Sequence, residues 1–81
     1  MTDKGLRVAL GAQLRAVRRS RGLTQEQLAE QLGVSPRYLA GIERAERNLS
    51  LDSVDTLADQ LGVVPSLTLD AKGDSERPSD A

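Results

Sequence analysis

The sequence predicts an all-α fold, a compact bundle of about five short helices, from two kinds of observation. Apolar residues recur at helical spacing along most of the chain: Leu6, Leu10, Leu14 and Val17; then Leu28, Ala29 and Leu32; then Leu39 and Ile42; then Leu51, Val54, Leu57, Ala58 and Leu61. Between these stripes stand residues that start or stop helices. Thr24, Ser35 and Ser50 are suited to N-caps, and Gly22, Gly33 and Gly62 to the left-handed position that ends a helix.

The first helix is expected over roughly residues 6 to 21, its stripe at i, i+4, i+8 and i+11 closing before Gly22. Thr24 followed three residues later by Gln27 has the capping-box pattern, so a short second helix runs from there to Gly33. Ser35 caps the third helix and Pro36 takes its first position, where a missing N–H costs nothing. Leu39 and Ile42 are its buried side. Ser50 caps a fourth helix that stops at Gly62, and Val64-Pro65-Ser66-Leu67 repeats the proline logic to predict a fifth of one or two turns. From Asp70 the segment DAKGDSERPSDA has two alanines as its only apolar residues. Residues 70–81 are therefore expected to be a disordered polar tail behind a single domain over residues 1–69.

Composition narrows the chemistry. A chain of 81 residues holds one small domain that buries only about 60% of its unfolded surface. Cys and His are absent, which removes thiolate nucleophiles, imidazole bases and nearly every zinc site, so neither an enzyme nor a metal or cofactor site is expected. Phe and Trp are absent too, and Tyr38 is the sole aromatic residue, which excludes the stacking platforms that hold single-stranded bases. No apolar run approaches the roughly 20 residues that span a bilayer, and the N-terminus lacks a signal-peptide pattern, so a cytoplasmic protein is expected.

The net charge of −1 hides an asymmetry. Residues 1–47 hold nine Lys or Arg against five Asp or Glu, a balance of +4, whereas residues 48–81 hold two against seven, a balance of −5. Such a split hints at a nucleic-acid face on the basic half.

Two short helices joined by a three- or four-residue turn containing Gly form the unit that lays its second helix in the DNA major groove. Residues 25–44 fit it: Ala29 is small where the helices cross, Gly33 ends the first, and Leu28, Leu32, Val34, Leu39 and Ile42 share a core. On the second helix, Pro36, Arg37, Ala40, Gly41 and Arg44 share an arc of about 140° opposite Leu39 and Ile42. Ala40 and Gly41 would let a surface approach closely, and Arg37 would reach base edges. Tyr38, at the edge of the arc, either covers the core or touches DNA. Free N–H groups at the start of the preceding helix suit Thr24 and Gln25 to a phosphate, and Ser35 is placed with them on the DNA side. Arg15, Arg19 and Arg21 are expected to form a solvated face.

The stretches LRAVRRSRGLTQEQLAEQLGVS and YLAGIERAERNLSL resemble the lambda-repressor-like, or Xre/Cro-type, helix-turn-helix domains. The resemblance extends over about residues 6 to 69, and the second stretch is most similar to the small controller proteins of restriction-modification systems. It implies a compact all-α domain in which Gln25 holds a backbone phosphate. Pro36, Arg37, Ala40 and Gly41 then face bases, and Arg44, Arg47 and Asn48 line the flanking backbone. It also implies an ion pair between Arg18 and Glu43. The chain departs from the pattern at Ala45, where many members have Gly, and at Leu49, where many have Pro. Alanine in a left-handed position costs about 1 kcal/mol, which favours a third helix one or two residues longer.

Once the first four helices close their core, Val63, Val64, Leu67 and Leu69 are left over as a cluster that predicts a homodimer interface. The sequence thus points to a dimeric, sequence-specific regulator of double-stranded DNA. The alternative is an antitoxin-like or other protein-interaction subunit with secondary DNA binding, which the acidic fourth helix and the leftover apolar cluster would suit.

Overall fold

Four helices carry the chain in the computed structural model, which describes residues 3–70: α1 (Asp3–Ser20), α2 (Gln25–Leu32), α3 (Pro36–Glu43) and α4 (Leu51–Leu61). Each of the last three starts on its expected cap. Thr24 Oγ1 accepts from Gln27 N–H at 3.1 Å while Gln27 Oε1 accepts from Thr24 N–H at 2.8 Å, the reciprocal pair of a capping box. Ser35 accepts from Tyr38 N–H at 3.0 Å with Pro36 following it, and Ser50 accepts from Ser53 N–H at 3.1 Å. These contacts satisfy amides that no helical carbonyl reaches.

All four helices end through one backbone device. Gly22, Gly33, Ala45 and Gly62 take positive φ angles of 67°, 72°, 64° and 73°. In each case the next residue's N–H bonds back into the last turn: Leu23 to Arg18, Val34 to Ala29, Glu46 to Gly41 and Val63 to Ala58, at 2.8 to 3.1 Å. Alanine at the third of these positions does not prolong α3, contrary to the expectation of a longer helix. The turn is held by the Glu46-to-Gly41 bond of 2.8 Å and by Leu49, which packs partly buried against the core just before Ser50 starts α4. Those gains outweigh the left-handed penalty on one alanine.

The expected fifth helix does not form. Residues 63–70 are irregular, and Val64, Leu67 and Leu69 are 91%, 58% and 86% exposed. A helix of one or two turns has an unfavourable nucleus and forms only when it buries a face, and here nothing covers it. Of the expected polar tail, residues 71–81 lie outside the described residues. Among the described residues no helix is long and apolar enough to cross a membrane.

Leu28, Leu39 and Ile42 are the largest fully buried side chains, joined by Leu14, Ala29, Leu32, Leu57 and Leu61 from all four helices. α2 packs against both α3 and α4, and α1 packs against α3. The α1–α3 crossing depends on Gly11, which is buried. A Cβ there would stand 2.6 Å from the Ile42 carbonyl oxygen and 2.8 Å from that of Glu43, too close for any side chain. Gly11 is not among the residues singled out from the sequence; a glycine inside a helix costs about 1 kcal/mol against alanine, and that cost is the signal by which the close backbone could have been found.

Ala45→Gly should stabilise the fold by about 0.5–1 kcal/mol, since relief of the left-handed strain exceeds the added freedom of the unfolded chain. A higher urea midpoint at unchanged slope checks it; a lower midpoint would mean that the alanine methyl contributes packing that outweighs the strain.

Candidate nucleic-acid interface

The helix-turn-helix is pinned from behind by one carboxylate. Glu43, the last residue of α3, is 5% exposed. Its Oε2 accepts from Arg18 Nε at 2.8 Å and its Oε1 from Arg18 Nη2 at 3.1 Å, the two-pronged geometry of a strong guanidinium–carboxylate pair. Gln25 Nε2 donates to the same Oε1 at 3.1 Å, Arg15 Nε stands 3.6 Å from it, and Arg15 Nη2 donates to the Glu43 backbone carbonyl at 3.2 Å. Burial pushes the Glu43 carboxyl up. The hydrogen bonds from Arg18 and Gln25, with the charges of Arg18 and Arg15, outweigh it and hold the group below the usual glutamate range. The bond to Glu43 likewise raises Arg18, which also donates to the Leu23 carbonyl at 3.1 Å. The Arg18–Glu43 pair implied by the family resemblance is present.

The expected solvated basic face is mostly employed inside the molecule. Arg15 holds the end of α3, and Arg21 Nη2 donates to the Leu61 carbonyl at 2.9 Å, closing the end of α4 from the far end of α1. Of Arg15, Arg19 and Arg21, Arg19 alone is left without a partner among the described residues. Nothing in the local sequence distinguishes Arg19 from Arg15 and Arg21, whose partners lie 28 and 40 residues away.

On the outer side of α3, Pro36 and Arg37 are exposed, and Arg37 makes no hydrogen bond or ion pair with any described residue. Ala40 and Tyr38 are half-buried. Gly41, expected on the open face, is buried instead. A Cβ on it would meet Cγ and Nε of Arg47 at 3.2 Å, and the Arg47 guanidinium lies 4.9 Å from the centre of the Tyr38 ring. Glycine therefore makes room for an arginine that folds back across the helix and stacks on the tyrosine. Arg44 donates to Glu46 at 3.0 Å on the surface, and Asn48 is exposed beyond the turn. Thr24 and Ser35 are exposed beside this face; their oxygens accept in the caps, which leaves each hydroxyl proton free to donate outward. Gln25, half-buried, keeps one amide proton and its carbonyl oxygen uncommitted.

The face is thus an exposed helix start with a free guanidinium, small residues along its middle and two cations at its far end, flanked by the capped start of α2. The Helix-turn-helix family matches residues 14–67, and the chain belongs to that family, in its Xre/Cro-type form. Over 56 residues it is 43% identical to the immunity repressor protein of Bacillus phage phi105, a stretch that is 69% of this chain and 39% of that protein. The solved structure of the restriction-modification controller protein C.AhdI from Aeromonas hydrophila superposes with a TM-score of 0.68 at 36% identity, covering 79% of this chain and 93% of that one. The controller protein C.Esp1396I, solved as a tetramer in complex with its natural 35-base-pair operator, gives 0.66 at 32% identity, over 73% of this chain and 78% of that one.

Arg18→Met should destabilise the fold by about 3 kcal/mol at neutral pH, because it strands a buried carboxylate. In the intact chain the Glu43 carboxyl is lower folded than unfolded. Its contribution is fully present above about pH 4.3, the unfolded value, and is lost as pH falls through the lower folded value. The gap between variant and parent should narrow over that acidic range in urea melts. A gap that stays constant down through it would place the stabilisation elsewhere.

Proposed function

We propose that this chain is a sequence-specific double-stranded-DNA-binding transcriptional regulator of the cytoplasm, and not an enzyme, that sets α3 into the major groove. The observation that carries this reading is Arg37: a guanidinium with no partner among the described residues, on the exposed first turn of the second helix of a helix-turn-helix. A free arginine there reads guanine edges through paired donors. Pro36 and Ala40 share its face as apolar surface for base edges, while Thr24, Gln25 and Ser35 offer donors to phosphates on one flank. Arg44, Arg47 and Asn48 do so on the other, with Tyr38 fixing Arg47 and Gly41 giving it room. Kinship with a phage repressor and with a controller protein solved on its operator supports the same reading.

Selection from random duplexes tests it directly. The selected site should bind with an affinity that falls as salt rises, at a log–log slope of about −0.9 for each phosphate neutralised. Arg37→Ala should cost about 1–3 kcal/mol on that site and relax preference at one base position. Equal losses on selected and unselected duplexes would reduce Arg37 to a phosphate contact, and failure of every duplex to bind below about 10 μM at low salt would overturn the DNA reading.

The regulator acts, in this reading, as a homodimer on inverted half-sites about one helical turn apart, because one helix reads too few base pairs to find a site. Val63 at 37% exposure, with Val64, Leu67 and Leu69, supplies apolar surface that the monomer leaves open. Leu67→Asp should give a folded monomer that binds a half-site but loses cooperativity on the full palindrome. A parent chain that sediments as a monomer at high concentration and binds the palindrome one-to-one would sink the dimer.

A further inference from the structure

The proposed DNA face, from Pro36 to Asn48, contains two acids, Glu43 and Glu46. Glu43 is buried behind the face, but Glu46 is exposed on it, where a carboxylate repels the polyanion it is meant to meet. Its surroundings give the reason for its place. Across the left-handed turn at Ala45, Glu46 Oε1 accepts from Arg44 Nη2 at 3.0 Å, and both side chains are more than half exposed, at 59% and 56%. Arg44's hydrogen bond holds the Glu46 carboxyl below its ordinary range, and the charge of Arg47 adds to the effect. Arg47 itself lies over Tyr38 with its stem against Gly41. Both cations at the end of α3 are therefore engaged within the free chain, whereas Arg37 at its start is not.

We propose that Glu46 is an intramolecular competitor of DNA phosphate: it occupies the Arg44 guanidinium in the free protein and must be displaced before that arginine meets the backbone. This rests on the DNA reading of α3. The exchange is of one anion for another on the same guanidinium, so Arg44 contributes less to affinity than a free arginine would, and the freed carboxylate is left beside the phosphates. Both effects lower affinity for any duplex by a similar factor, because a backbone contact carries no base information. Glu46 thus sets the strength of DNA binding without setting its sequence preference. The pair is exposed, so its effect is small and fully reversible.

The test is a double-mutant cycle of Glu46→Gln and Arg44→Gln, read as dissociation constants on the selected duplex and on an unselected one at fixed low salt, with Arg37→Ala alongside. Glu46→Gln should tighten binding to both duplexes by about two- to fivefold while leaving their ratio unchanged. In the Arg44→Gln background the same change should tighten binding by less than about twofold. An equal gain in both backgrounds would reduce Glu46 to a diffuse charge, and weaker binding by Glu46→Gln would make it a support of Arg44; either result overturns the proposal. If Arg37→Ala weakens the selected duplex while the cycle shows no coupling, the DNA reading stands and the Glu46 proposal falls; if the parent chain binds neither duplex, both fall.

Discussion

The Glu43 carboxylate is the constraint on which the rest of the structure depends. It sits at the last residue of α3, yet its partners come from α1, through Arg18 and Arg15, and from the first residue of α2, through Gln25. A charge so well removed from water is tolerable only when its lone pairs are filled, and a two-pronged arginine with an added amide fills them. Three helices must therefore arrive together. Gly11 allows the arrival, since any side chain at that point would hold α1 away from the end of α3. The third helix is thereby fixed by its far end, while Pro36 and Arg37 at its start stay exposed.

The same engagement of charge limits how many cations the proposed DNA face offers in a chain of net charge −1. Five of its arginines are engaged within the chain, three with the ends of α3 and α4 and two on the surface. Arg15 and Arg18 serve Glu43, Arg21 closes α4, Arg44 is held by Glu46, and Arg47 stacks on Tyr38. The proposed contact surface therefore depends less on a broad positive field than on one free guanidinium and the shape of α3 around it.

The exposed apolar segment after Gly62 belongs to the same logic. A four-helix core closed by Leu57 and Leu61 has no place for Val64, Leu67 and Leu69, and an isolated chain leaves them in water. In the proposed homodimer a second copy would cover a surface of this kind.

The sequence by itself determined the starts of α2, α3 and α4, the helix-turn-helix and most of the core stripes, because caps, apolar spacing and glycine punctuation act over a few residues. Leu6 and Leu51, by contrast, are 56% and 72% exposed, and α1 begins at Asp3 rather than near residue 6. Thr24, Ser35, Ser50, Gly33 and Gly62 all do in the structure what their local chemistry predicts. What only the tertiary structure decided are the outcomes where local preference met a distant partner. Ala45 takes a left-handed conformation because the chain must turn for Leu49 to reach the core, and Gly41 is covered because Arg47 folds back onto Tyr38. Arg15 and Arg21 look like surface charges until the ends of α3 and α4 are brought to them, and Val64–Leu67 reads as a helix until nothing is found to bury it. Local interactions fix φ, ψ and the face of each helix; which arginine finds a carbonyl, and which apolar stretch finds a cover, depends on contacts between residues far apart in the chain, and no short window of sequence contains them.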